Sequence, residues 1–122
     1  MSGRAPGPGE LPAATEVGAA LLRLSYASQA KAAAIEAVES GPTAAAKRAA
    51  IPAARAAIDA WRAAHQAVYE LAETALIAQG QDPQTSLRAE RENAARTEAE
   101  QRDRLAMFER EFARVAGLVG QG

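Results

Sequence analysis

The sequence predicts an all-α fold: an antiparallel helical hairpin plus a third long, partly charged helix, packed as a coiled-coil-like bundle. Three observations predict it. Alanine supplies 34 of the 122 residues, and it is the best helix former because it loses no side-chain entropy on folding. The stretch 43–79 places Ile51, Ile58, Trp61, Val68 and Leu71 at spacings of three, four or seven, the period of an amphipathic helix. Gly41-Pro42, and Gly80 with Asp82-Pro83, then punctuate the chain where helices must stop and restart.

Taken in order, residues 1–12 carry three prolines and three glycines and read as a disordered tail ahead of one helical domain, 13–122. The first helix spans about 13–40. Val17, Leu21, Leu24, Ile35 and Val38 trace one face of it. Gly41 suits a left-handed C-terminal cap, and Pro42 forbids continuation. Thr43 can then cap a second helix, about 43–79, by accepting an N–H bond from its first turn. A link this short makes the two helices antiparallel neighbours. Pro52 removes a backbone hydrogen bond and presses on the Arg48 carbonyl, so a kink or restart is expected at 48–52. Asp82 serves as N-cap and Pro83 as first residue of a third helix, about 83–118.

That third helix has unlike halves. From Arg88 to Arg104 it holds five arginines, five acids and no apolar side chain larger than alanine. Glu92/Arg96, Glu98/Arg102 and Glu100/Arg104 form i,i+4 pairs that can keep such a segment helical while it faces water. Leu105, Phe108, Phe112, Val115 and Val119 then restore a 3-4-3-4 seam. We read these five as an interface stripe, with the two phenylalanines as its anchors. The core is assigned to Leu21, Leu24, Ile35, Ile58, Trp61, His65, Val68 and Leu71.

Composition limits function. The net charge of −1 argues against a general nucleic-acid binder, which would carry a basic excess. The chain has no cysteine, hence no disulfide framework or thiolate metal site. No run of 18 apolar residues exists to span a membrane. Leu, Ile, Val and Phe together number only 20, so the core should be narrow and self-association attractive.

Chemistry-bearing motifs are sparse. His65 can be a pH switch or, with Glu70 or Glu73, the base of a small enzyme; the preferred reading is a core-edge histidine bonded to a neighbouring carbonyl or carboxylate. Glu36/Glu39 and Glu70/Glu73 are i,i+3 carboxylate pairs able to hold a hard cation, but read better as solvated helix faces. Lys47, Arg48, Arg55 and Arg62 form a small basic patch opposed only by Asp59, also read as solvated. No phosphate-binding glycine loop is present. No catalytic, cofactor-binding or metal residue is therefore assigned.

The run AAAKRAAIPAARAAIDAWRAAHQAVYEL resembles small alanine-rich helical accessory proteins of tailed phages and prophages. The chain is also similar to phasin-like granule coat proteins in being alanine-rich, cysteine-free and amphipathic. The first resemblance implies a cytoplasmic or virion-associated, non-enzymatic structural or adaptor protein that contacts itself or another protein. The second implies a coat on a granule or membrane surface. With the near-neutral charge and the absence of nucleotide and metal motifs, no cofactor, small-molecule substrate or nucleic-acid partner is expected.

Overall fold

The computed structural model describes residues 10–121, with side chains to residue 117. The expected tail lies mostly outside this range, as does the Val119 side chain. The described chain is helical throughout: α1 (Ala14–Ser40), α2 (Ala44–Ala49), α3 (Ile51–Ala78), the single turn α4 (Pro83–Ser86) and α5 (Arg88–Gln121). The all-α prediction is met.

Local chemistry sets the boundaries. Thr43 Oγ1 accepts from the Ala46 N–H at 3.0 Å, capping α2. Pro52 divides the second predicted helix: α2 ends, Ala50 turns, and α3 restarts with proline in its first turn, where a missing N–H costs nothing. Gly80, at φ 77°, closes α3. Gln81 N–H reaches back to the Leu76 carbonyl at 2.9 Å, and Gly80 N–H to that of Ile77 at 3.0 Å, the double bond of a Schellman turn. Asp82 accepts from Gln84 N–H at 3.1 Å.

Gly41 departs from expectation. Its backbone is extended, φ −56° and ψ 144°, because the following proline disfavours helical and turn geometry in the residue before it. Glycine is needed there for proximity instead: a Cβ would sit 3.0 Å from Lys47 Cγ and 3.1 Å from Lys47 N. Gly18, inside α1, has nothing within 4 Å of a Cβ. Gly18→Ala should therefore raise stability by about 0.5–1 kcal/mol, whereas Gly41→Ala should lower it. Opposite shifts in melting temperature check the pair.

α1 and α3 run antiparallel as the predicted hairpin, and α5 lies along them, parallel to α1 and antiparallel to α3. Val38, Ile51, Ala54, Ile58 and Leu105 form the fully buried core, with Ala34, Ile35, Phe108 and Phe112 packed against it. That core sits where α1 ends, α3 begins and the second half of α5 docks.

Two corrections follow. Leu105, expected at an interface, is 1% exposed inside the chain's own core, and Phe108 and Phe112 lean on that core, their rings stacked at 5.6 Å. The first three residues of the α5 seam, Leu105, Phe108 and Phe112, thus pack within the chain, while Val115 is half-buried outside that cluster. Leu21, expected in the core, is 50% exposed. At 3.6 residues per turn Leu21 falls at the edge of the stripe that Leu24, Ile35 and Val38 trace; Ala20 is the residue buried there, since a small side chain lets helices approach closely. Leu24, Ile35, His65, Val68 and Leu71 are half-buried, and Ile58 and Trp61 are buried as expected.

The charged half of α5 does not stand apart in water. Arg91 pairs with Glu73, Glu98 with Arg62 at 2.8 Å and Arg102 with Asp59 at 2.6 Å, and beyond the charged half Glu109 pairs with Arg55. Arg104 reaches Glu39 of α1 at 2.8 Å. Partners on α3 fall earlier as α5 proceeds, which fixes the antiparallel register. Ala94 is buried beneath this strip. Of the three expected i,i+4 pairs, Glu98–Arg102 forms, while Arg96 bonds Asn93 and Arg104 crosses to α1. Each exposed pair contributes about 0–1 kcal/mol, so the strip sets register more than stability.

Candidate functional site

Two regions could carry function: the aromatic column around His65, and the hairpin surface that α5 leaves uncovered.

Trp61, His65 and Tyr69 lie one helical turn apart on α3 and so share a face. The His65 ring meets Trp61 edge-on at 4.6 Å and Tyr69 at 5.4 Å. Tyr69 donates its hydroxyl to the Glu90 carbonyl at 3.1 Å, tying the column to α5. Above Trp61 sits Lys31 of α1, only 8% exposed, its Nζ 3.8 Å from the ring centroid. Lys31 also donates to Gln101 Oε1 at 3.0 Å. An ammonium on an indole face is attracted by the ring quadrupole, more strongly where water is excluded. Burial pushes the Lys31 ammonium below its ordinary pKa. Spacing alone did not reveal this lysine; the one signal was its position on the apolar face of α1, three residues after Ser28 and seven before Val38.

His65 finds neither carbonyl nor carboxylate: its buried Nδ1 has no hydrogen-bond partner. Glu73 is engaged by Arg91, and the Glu70 carboxylate bonds Gln66 at 3.4 Å. The expected polar partner is thus replaced by aromatic faces. Burial first, then the nearby Arg62 and Lys31 charges, holds the imidazole below its usual pKa. The unfolded chain then binds the proton more readily than the folded one. Stability from this ring is fully present above about pH 6.5, the unfolded value, and is lost as pH falls below it toward the lower folded value. His65→Gln should flatten that acid-side decline, measured as urea midpoints at several pH values.

The other candidate groups are dispersed. Glu39 serves Arg104, and Glu73 serves Arg91; among the described residues no three His, Cys, Asp or Glu side chains gather as metal ligands. The supposed basic patch is partly neutralised by α5: Arg55 makes a two-pronged bond to Glu109 at 2.9 and 3.0 Å, and Arg62 meets Glu98. The Arg55 bond holds the Glu109 carboxyl below its ordinary range. Lys47 Nζ lies 5.9 Å from the Phe112 ring.

The hairpin surface is different in kind. A half-open apolar cleft of about 270 Å³ runs between the start of α1 and the end of α3, walled by Leu11, Val17, Leu21, Val68, Leu71 and Ala75. A second groove, about 420 Å³, is lined by alanines of both helices with Arg23 at its α1 wall. Leu11, Leu21, Leu22, Tyr26 and Ile77 are all at least half exposed. Sequence reasoning put the exposed apolar surface at the chain's end; the fold puts much of it at the opposite end of the hairpin. No helix among the described residues is long and apolar enough to cross a membrane. No protein family, curated relative or solved structure matches this chain.

Proposed function

We propose that this chain is a non-enzymatic structural or adaptor module, cytoplasmic or virion-associated and of the kind phages and other mobile elements encode, that acts through protein–protein contacts on its helical faces. One observation carries the reading: large apolar side chains, Leu21, Leu22, Tyr26 and Ile77 among them, stand half or more exposed on a hairpin whose apolar clefts have no internal occupant among the described residues. Large exposed apolar side chains beside an open apolar cleft are read as an interaction surface. The lone histidine is occupied by two aromatic rings and bonded to no carboxylate, which weighs against its use as a catalytic base.

The same exposed leucines and tyrosine also favour a second reading, an amphipathic coat on a lipid or polymer surface. Vesicle flotation separates the two. A protein-binding module stays at the bottom of the gradient with anionic and neutral vesicles alike, and forms discrete cross-linked assemblies. Flotation that Leu22→Lys/Tyr26→Lys abolishes would transfer the assignment to the surface-binding reading.

A further inference from the structure

We infer that the hairpin face turned away from α5 is the docking surface for a second copy of this chain, an inference that rests on the protein-contact reading. On α1 that face presents Tyr26, Ala30, Ala33 and Ala37, all exposed. On α3 it presents Ala53, Ala56, Ala60 and Ala63, also exposed. Both sets follow the 3-4 spacing of a single helical stripe. A helix face meeting only water ordinarily carries charge at such positions; here Arg55, Arg62 and Glu73 lie toward α5, and Asp59, three residues after Ala56 and four before Ala63, sits at the edge of the face, engaged by Arg102.

Size and charge select the occupant. From Thr15 to Ala37 on α1 the face is about 33 Å long at 1.5 Å per residue. Two helices side by side make it about 18 Å wide. On the order of 600 Å² in flat projection, and more over the ridges, is comparable with the roughly 800 Å² per partner of a standard interface. Alanine ridges let two such faces approach closely, and a two-fold contact uses one patch twice.

Arg23 is the only charge lining the alanine groove, level with Ala67, and it has no ion pair or hydrogen bond among the described residues. Glu70, one turn beyond Ala67, accepts a hydrogen bond from Gln66 but has no ion pair among the described residues. A two-fold axis along the bundle lays α1 of one copy over α3 of the other without changing height. Each Arg23 then comes level with the partner's Ala67, one turn from the partner's Glu70 and within reach of a long side chain, and a four-helix layer of antiparallel neighbours results. A neutral partner would bury that arginine unpaired, at a cost.

Sedimentation equilibrium and cross-linking of the full chain test this. The expected mass is twice 12.7 kDa. Ala60→Arg, at an exposed position, should weaken the dimer at least about tenfold, about 1.4 kcal/mol, with helicity unchanged by circular dichroism. Tyr26→Lys is the second variant should the first lose helicity. Arg23→Glu should weaken association, and Arg23→Glu/Glu70→Arg should restore it. A dimer indifferent to these substitutions overturns the docking face yet leaves the protein-contact reading standing. A monomer at high micromolar concentration overturns the second copy as occupant, and a monomer that also floats with vesicles overturns the broader reading too.

Discussion

Leu105→Ala should lower the unfolding free energy by about 2–5 kcal/mol, seen as an earlier urea midpoint at unchanged slope. Leu105 is 1% exposed and joins Val38, Ile51, Ala54 and Ile58 in the buried apolar cluster shared by α1, α3 and α5. Few large aliphatic side chains are fully buried here, so little neighbouring mass can relax into the space left behind. Domains of this size are stable by about 5–15 kcal/mol, and the loss would be a large share of that. Leu22→Ala, removing a side chain 56% exposed, should change stability by no more than about 0.5 kcal/mol. Were Leu105 an interface residue, as its spacing implied, the substitution would instead lower assembly mass and spare the monomer.

Trp61→Ala should cost about 3–5 kcal/mol. The indole is 6% exposed, meets the His65 ring edge-on and carries the Lys31 ammonium on its face. Removing it opens a cavity and strips a buried cation of its aromatic contact, leaving the Gln101 amide oxygen as its bonded partner. Trp61→Phe keeps a ring at the site and should retain part of the loss. The chain has a single tryptophan, so unfolding must be followed by far-ultraviolet circular dichroism. Equal losses for Trp61→Ala and Trp61→Phe would show that the ring face contributes nothing to holding Lys31.

What could be read from the sequence was local. The Thr43 and Asp82 caps, the restart at Pro52 and the left-handed Gly80 each depend on residues within one turn of one another, so composition and spacing suffice. The hairpin follows from the shortness of the 41–43 link. What failed to show depends on partners distant in the chain. Arg104 sits four residues after Glu100 yet bonds Glu39, because docking of α5 brings a second carboxylate within reach. Local pairing rules describe an isolated helix and cannot weigh that competition. Arg55 and Arg62 looked like a patch for the same reason: their acids, Glu109 and Glu98, lie 36 or more positions away.

Apolar periodicity has a related limit. It identifies the stripe of α5 as something to be buried but does not name the partner, and an intrachain core and an interchain seam have one pattern. In α1 periodicity located the buried stripe but not its width: Leu21, at the edge of that stripe, is left half exposed once α3 is in place. Gly41 shows the limit for a single residue: its preference for the left-handed region was overridden by the proline after it, and its role lies in the approach of Lys47.

The most direct measurement is the nuclear Overhauser contact between the Leu105 methyls and those of Ile51 and Ile58, recorded with isotope filtering on mixed labelled and unlabelled chains. If α5 closes its own hairpin, those contacts appear within a single chain and are unchanged on dilution. If they appear only between chains, or not at all, the C-terminal helix belongs to an intermolecular seam and the core described here is wrong.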